Sequence, residues 1–275
     1  MIRMPALTAK ANATAHVDTF ARDRLPPPQA MPEFLFEGAA LQFPPRLNCA
    51  TELLDSHVTQ GRGERVAIQG AGVRWTYAAL LAQANRIAHV LVQDMGLRTG
   101  NRVLLRGANS PMLAACWLAV VKAGGIAVGT MPLLRARELV AIVDKAQITH
   151  ALCDMRLADE LALARPDCPT LQQVLHFGGD LEARSNGKPA SFDNVDTAVD
   201  DVCLMAFTSG TTGVPKGTLH FHRDVMAAAA CWPPHVLRAT PDDVFIGSPP
   251  LAFTFGLGGL LLFPLSVGAS SVLIE

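Results

Sequence analysis

Several things are missing from this chain, and each absence excludes something. Charge is sparse and balanced: charged residues make up 17% of the 275, and the formal net charge is −1. No basic stripe interrupts that balance, so nothing electrostatic points to nucleic acid. No Cys-x-x-Cys pair occurs. The six cysteines (Cys49, Cys116, Cys153, Cys168, Cys203 and Cys231) are scattered, most of them in apolar runs. That is how reduced core cysteines of a cytoplasmic protein are distributed, and no metal framework follows from them. The N-terminus has no apolar signal core, because Arg3, Lys10 and Asp18 interrupt it, and Asp18 and Asp23 count against a transit peptide. No internal repeat is visible.

What is present is apolar. A hydrophobic fraction of 50% excludes disorder and allows a large core in one or two domains. Val244 to Ile274 carries no charge and is long enough to span a bilayer. Pro249-Pro250, Pro264 and five glycines divide it into strand-sized and helix-sized pieces, so no membrane partner is expected.

Residues 1–45, with Pro26-Pro27-Pro28 at their centre, read as an extended lead-in lying over a folded body that occupies 46–275. A helix is expected from Asn48 to Thr59. Two short strands, Val66–Gln69 and Val73–Tyr77, flank the hairpin signal Gly70-Ala71-Gly72. Leu80, Leu81, Ala84, Ile87, Ala88 and Leu91 recur at spacings of three and four, an amphipathic helix with Thr76 as N-cap and Gly96 as stop. Strand and helix then alternate. Arg102–Arg106 is followed by Met112–Lys122, Ile126–Thr130 by Arg135–Lys145, Thr149–Cys153 by Met155–Ala164, and Thr170–Phe177 closes the series. This alternation predicts an α/β fold of β-α units with mostly parallel sheets. Gly178–Asp200 reads as a polar surface connection. A strand over Gly217–Phe221, a helix from Arg223 to about Cys231 broken by Trp232-Pro233-Pro234, and strands at Val244–Gly247 and Ser271–Ile274 complete the chain. Ending in mid-sheet is expected to expose an unpaired strand edge, an aggregation hazard.

The stretch most telling of chemistry is Thr208-Ser209-Gly210-Thr211-Thr212-Gly213-Val214-Pro215-Lys216-Gly217, which follows the apolar run Val202–Phe207. Gly210 and Gly213 let successive backbone N–H groups converge on one point, and such a concavity binds phosphate. The hydroxyls of Thr208, Ser209, Thr211 and Thr212 add neutral donors, and Lys216 adds a mobile positive charge. A Walker A loop would need glycine where Pro215 stands and a magnesium-holding hydroxyl where Gly217 stands. A flexible Ser/Thr/Gly linker fits poorly between two apolar strands.

This stretch resembles the signature loop of the adenylate-forming (AMP-dependent synthetase/ligase) superfamily. Trp75-Thr76-Tyr77, Asn85-Arg86, Gly100-Asn101-Arg102-Val103, Asn109-Ser110 and Lys122-Ala123-Gly124-Gly125 fall in the order of that superfamily's large N-terminal domain. Gly217-Thr218-Leu219-His220-Phe221-His222 is similar to its aryl-CoA ligase branch, most of all to the 2-aminobenzoate–CoA ligases. The resemblance implies two half-reactions: a carboxylate attacks the α-phosphate of Mg-ATP to give acyl-AMP and pyrophosphate, and CoA then displaces AMP. ATP, Mg2+ and CoA are thus implied, with benzoate or 2-aminobenzoate as the acid. Lys216 and the loop hydroxyls would hold the leaving phosphates.

Pro250-Leu251-Ala252-Phe253-Thr254-Phe255-Gly256 is the second candidate, a strand-to-helix turn where small residues flank two aromatics and leave room for a flat apolar ligand. The resemblance places the aromatic-acid pocket here, formed by Phe253, Thr254, Phe255 and Gly256; core packing is the competing reading. His220 and His222 would put two imidazoles on one strand face, but no third metal ligand is evident, and Asp224 sits where a helix start favours a carboxylate. Lone histidines such as His16, His57 and His150 are expected to be surface or satisfied core groups. The motifs the superfamily uses for adenine, ribose and the catalytic lysine of its small C-terminal domain do not occur before Glu275. The expected partners are therefore the small-molecule substrates, with a second copy of the chain or a complementing C-terminal half to complete the site. A fragment inactive alone and a non-catalytic remnant packed on a partner both remain open.

Overall fold

The structure, a computed structural model, describes residues 13–35, 38–208 and 215–275. The described part of the lead-in crosses the body as short 3-10 turns at Arg22–Arg24, Pro28–Ala30 and Ala39–Leu41. It is pinned at several points. Asp18 pairs with the buried Arg102, the Ala15 N–H donates to Asp201 at 2.9 Å, and the Arg102 guanidinium stacks 4.7 Å from the Phe20 ring.

Helix α1 occupies residues 49–59, with Thr51–Asp55 wound as a π-helix and Ser56–Thr59 as an α-helix. Strands β1 (Val66–Gly70) and β2 (Val73–Thr76) form the expected antiparallel hairpin. The Thr76 hydroxyl accepts from the Ala79 N–H and opens α2 (Tyr77–His89), whose apolar stripe buries Leu80, Ala84, Ile87 and Ala88. Then follow β3 (Arg102–Arg106), α3 (Pro111–Lys122), β4 (Ile126–Thr130), α4 (Ala136–Ala146), β5 (His150–Asp154), α5 (Ala158–Ala164), β6 (Gln173–Phe177) and α6 (Asp180–Ser185). The second half of the chain adds β7 (Val202–Thr208), β8 (Lys216–Phe221), α7 (His222–Trp232), β9 (Val244–Gly247), α8 (Thr254–Leu257), α9 (Phe263–Val267) and β10 (Ser270–Leu273).

Among the described residues the strands form two sheets, ordered β6-β5-β3-β4-β7-β8 and β2-β1-β10-β9. The larger is parallel except for β8, and the smaller is parallel except for β2. Between them lies α3, apolar on every side and buried at all its positions but Met112. A helix with no polar face needs partners all round, and two sheets and α2 supply them.

Two sequence expectations need correction. The 178–200 connection is not all surface: α6 forms within it and buries Leu181 and Ser185, while Thr197 and Ala198 are fully buried. The Glu182 carboxylate accepts from the Gly178 and Gly179 N–H groups and caps that helix. Pro233 does not break α7 either, because the helix continues as a π turn, Pro233–Leu237, ending at Arg238 with φ 52°. A proline at that position loses one N–H donor, and the wider turn removes the clash with the preceding carbonyl. Lastly, the expected open edge is present but does not fall on the last strand, β10. That strand is paired on both sides, by β1 and β9, and the edges of this sheet are β2 and β9, the latter with Val244 and Ile246 exposed. Among the described residues no helix is long and apolar enough to cross a membrane.

One buried charge ties α1 to α3. Lys122 Nζ, fully buried, donates to both Asp55 oxygens at 2.6 Å, and Asn194 Nδ2 reaches the same carboxylate at 3.1 Å. Burial lowers the Lys122 pKa and the Asp55 charge opposes that shift. Asp55→Ala leaves the ammonium without a counter-charge and should destabilise the fold by about 3–5 kcal/mol. Lys122→Met in the same background should recover part of that loss, because it removes the stranded charge; urea denaturation of the two variants measures both effects.

Candidate active site

Two of the predicted features meet at one end of the larger sheet. β7 is buried from Val202 to Ala206, becomes half-buried at Phe207 and emerges at Thr208. Its antiparallel partner β8 runs along the sheet edge in a register that sets Thr208 opposite Lys216, both exposed at the mouth of the hairpin. Ser209, Gly210, Thr211, Thr212 and Gly213 lie outside the described residues. Further back, the Thr218 hydroxyl donates to the Ala206 carbonyl at 3.1 Å and lies 3.1 Å from His220 Nε2. Burial lowers the His220 pKa against the opposing pull of the Asp224 carboxylate.

A narrow apolar cleft opens beside the hairpin. It is lined by Leu105 of β3, Gly129 of β4, Leu204 and Ala206 of β7, Leu113 and Trp117 of α3, and the 251–257 turn with Leu261 behind it. Leu105 and Gly129 are directly paired across β3 and β4. The chain passes from β4 back across β3 to β5, so the strand order reverses between these two strands. Ligand sites of open parallel sheets fall at such reversals, outside the carboxyl ends of the strands. Gly129 admits the turn: a Cβ there would lie 3.0 Å from the Ala252 Cα.

Of the four residues predicted for the acid pocket, Phe253 and Thr254 line the cleft. Phe253 stands 44% exposed at its rim, whereas Phe255 is 79% exposed and does not line it. Gly256 has a conformational role, since a Cβ there would strike the Pro250 carbonyl oxygen at 2.1 Å. The turn itself is held by Asn109. Its Nδ2 donates to the carbonyls of Pro249 (3.0 Å) and Ile274 (3.1 Å), with a longer contact to Ser248 (3.4 Å), and its Oδ1 accepts from the Leu251 N–H at 2.9 Å. At the same sheet end the buried Arg106 guanidinium donates to the carbonyls of Met131, Pro132 and Leu134 at 2.9–3.0 Å and orders the loop after β4. Sequence reasoning missed Trp117 and Gly129 as cleft residues. Trp117 lies in a uniformly apolar helix that gives no facing signal, and its buried Nε1 has no hydrogen-bond partner.

The two neighbouring histidines do not share a face. β8 ends at Phe221, so His220 stays on the strand while His222 opens α7 and turns inward. His222 Nδ1 accepts from the Cys49 N–H at 3.1 Å and lies 3.3 Å from Cys49 Sγ, with Cys203 alongside. Burial would raise the Cys49 thiol, but the neighbouring Cys203 and His222 side chains outweigh it and bring it down; Cys203 is pushed up instead. His57 and His150 are satisfied core groups, bonded to the carbonyls of Leu265 and Met95. The buried His16 is not, since its Nε2 lacks a partner.

The family described as AMP-binding enzyme matches residues 54–275. Benzoate–CoA ligase of Thauera aromatica is 30% identical over 240 residues, covering 86% of this chain and 45% of the relative. Anthranilate–CoA ligase of Pseudomonas aeruginosa is 31% identical over 202 residues, covering 70% and 37%. Among solved structures, the anthranilate CoA ligase AuaEII in complex with anthranoyl-AMP superposes with a TM-score of 0.81 at 27% identity, over 86% of this chain and 46% of that one. ATP-bound MatB from Rhodopseudomonas palustris gives 0.74 at 29%, over 82% and 45%. The chain spans under half the length of these relatives.

Two expectations test the turn. Asn109→Leu keeps the volume but strands the Leu251 N–H and two carbonyls, and should cost about 2–4 kcal/mol in chemical denaturation. Gly256→Ala should cost about 1–3 kcal/mol through overpacking, whereas Gly259→Ala, whose Cβ meets nothing within 4 Å, should be neutral or slightly stabilising.

Proposed function

Because the chain belongs to the AMP-binding enzyme family, we propose that it carries the phosphate grip and the acid cleft of an ATP-dependent aryl-CoA ligase. The observation that carries this reading is the double use of β7. Leu204 and Ala206 wall the cleft, and Thr208, at the end of the same strand, opens the signature loop opposite Lys216. An acid in the cleft would present its carboxylate toward a nucleotide held by the loop, so that the chain's contribution is positioning and charge neutralisation. Lys216 would neutralise charge on the leaving pyrophosphate. The hydroxyls of Thr208, Ser209, Thr211 and Thr212 and the backbone at Gly210 and Gly213 would cradle its oxygens.

The cleft favours a flat apolar acid. Its walls are aliphatic and aromatic, Phe253 offers a ring face at the rim, and Thr254 is the polar side chain of the lining. Benzoate and 2-aminobenzoate fit that description, and two of the relatives are named for those acids. CoA would be the acyl acceptor. Magnesium would arrive with ATP and prefers oxygen ligands. Among the described residues the one cluster able to share an ion is Cys49, Cys203 and His222. Those ligands do not suit magnesium, so no step is assigned to it on this chain. The exposed Val244, Ile246 and Phe255 give a complementing segment or a second copy an apolar surface to cover. That surface would equally serve a non-catalytic remnant docked on a partner.

Acid-dependent exchange of pyrophosphate into ATP separates these readings. The assay takes the chain alone and the chain joined to the remaining segment of the Thauera aromatica benzoate ligase, each with benzoate, 2-aminobenzoate and a fatty acid. We expect no exchange by the chain alone, and exchange with an aromatic acid by the joined protein. Lys216→Ala should reduce that exchange by about 10–1,000-fold. Exchange with the fatty acid only would overturn the aryl assignment, and a folded joined protein without exchange would favour the remnant.

A further inference from the structure

Beneath the hairpin, far from its mouth, two helices begin at the same place. Cys49 is the first residue of α1, His222 is the first residue of α7, and Cys203 is the second residue of β7. One sulfur from each cysteine and one ring nitrogen lie within 4.8 Å of one another. All three side chains are sealed from solvent, at 0%, 0% and 1% exposure. None has a part in the acid and nucleotide chemistry above.

Several features suit this cluster to a cation. Cys49 is the first residue of α1, where the positive end of a helix longer than two turns favours a thiolate. Two thiolates and a neutral imidazole balance a divalent charge, so a loaded site is neutral and avoids the cost of a buried net charge. The 3.3 Å between His222 Nδ1 and Cys49 Sγ is close to the roughly 3.5 Å edge set by bonds of about 2.3 Å to sulfur and 2.0–2.1 Å to nitrogen. Thiolate and imidazole together select thiophilic d10 cations over hard ones.

We propose that Cys49 Sγ, Cys203 Sγ and His222 Nδ1 form a buried binding site for a thiophilic d10 cation, Zn2+ first and Cu(I) as its competitor. Binding releases the thiol protons to solvent. It also replaces two contacts present in the unloaded site: the Cys49 N–H bond to His222 Nδ1, at 3.1 Å, and the Cys203 Sγ contact to the His220 carbonyl, at 3.7 Å. The role is structural. Cys203 precedes Thr208 by five residues, about 17 Å of extended strand, so the cation does not reach the nucleotide. It ties α1 to the start of β7 and to the end of β8, fixing both feet of the hairpin whose tip is the signature loop. Because the site is sealed, loading accompanies folding.

The test refolds the full chain under reducing conditions with Zn2+, with Cu(I), or with both. Metal content is counted after desalting, and a Co2+-loaded sample is examined for thiolate-to-metal charge-transfer absorption. We expect one metal per chain, a raised thermal midpoint, retention in Cys231→Ser and loss in Cys203→Ser. The mixed loading identifies which of the two ions the site prefers. Folded protein without metal from either ion, or Cys203→Ser holding as much as the unsubstituted chain, overturns the proposal. Should Cys203→Ser fail to fold, X-ray absorption on the loaded unsubstituted chain decides. A first shell of two sulfurs with nitrogen supports the site, and a shell of light atoms only overturns it.

Discussion

A single side-chain amide holds the two sheets in the relation the site requires. Asn109 follows β3 of the larger sheet, and its amide bonds the backbone after β9, the end of the chain after β10 and the aromatic turn between them. Asparagine suits the task because two donors and one acceptor project from one short stem. Lysine or serine could satisfy part of this set but not its geometry. This contact helps to fix the height of the 248–251 segment above the sheet, together with the burial of Leu251, and the cleft beneath it is bounded by that height. Gly129 and Gly256 contribute by omission: each lacks the atom that would push the turn away.

Once the turn is seated, the rest of the site follows from the parallel sheet. Every strand from β3 to β7 ends on the same side, so their carboxyl ends form one rim. The reversal of strand order between β3 and β4 leaves a crevice in that rim. Arg106 closes one flank by ordering the loop after β4. The antiparallel β8 then returns Lys216 to the rim beside Thr208, which a parallel crossover would have carried away from it.

Much of this was legible in the sequence, and what was not has physical causes. The β-α alternation, the cap at Thr76 and the hairpin at 70–72 are local signals, and the structure has them within about three residues. Pro233 misled because a π turn accommodates proline where an α turn would not. The 178–200 segment misled because polar composition conceals a short helix capped by its own Glu182. His220 and His222 were read as a pair because strand periodicity was carried one residue too far. The cluster of Cys49, Cys203 and His222 could not be found by spacing, since its members come from three elements that only the fold brings together. Phe253 and Thr254 were legible as cleft residues because they lie on the turn itself. Trp117 was not, because a helix buried on all sides gives no indication of which face meets a cavity.

The position of β10 bears on how such a chain is made. Ile68 of β1 pairs with Ser271 of β10, so the inner edge of the first hairpin stays without its native neighbour until the ribosome has passed residue 271. At about 5–20 residues per second on the ribosome, that is roughly 10–40 s. Through that interval β1 presents open N–H and C=O groups, and α3 lacks the cover of a completed smaller sheet. Pairing at such long sequence separation is slow and leaves strand edges open to other chains. Recovery of soluble protein would then depend less on final stability than on what shields one strand edge while its partner is still being translated.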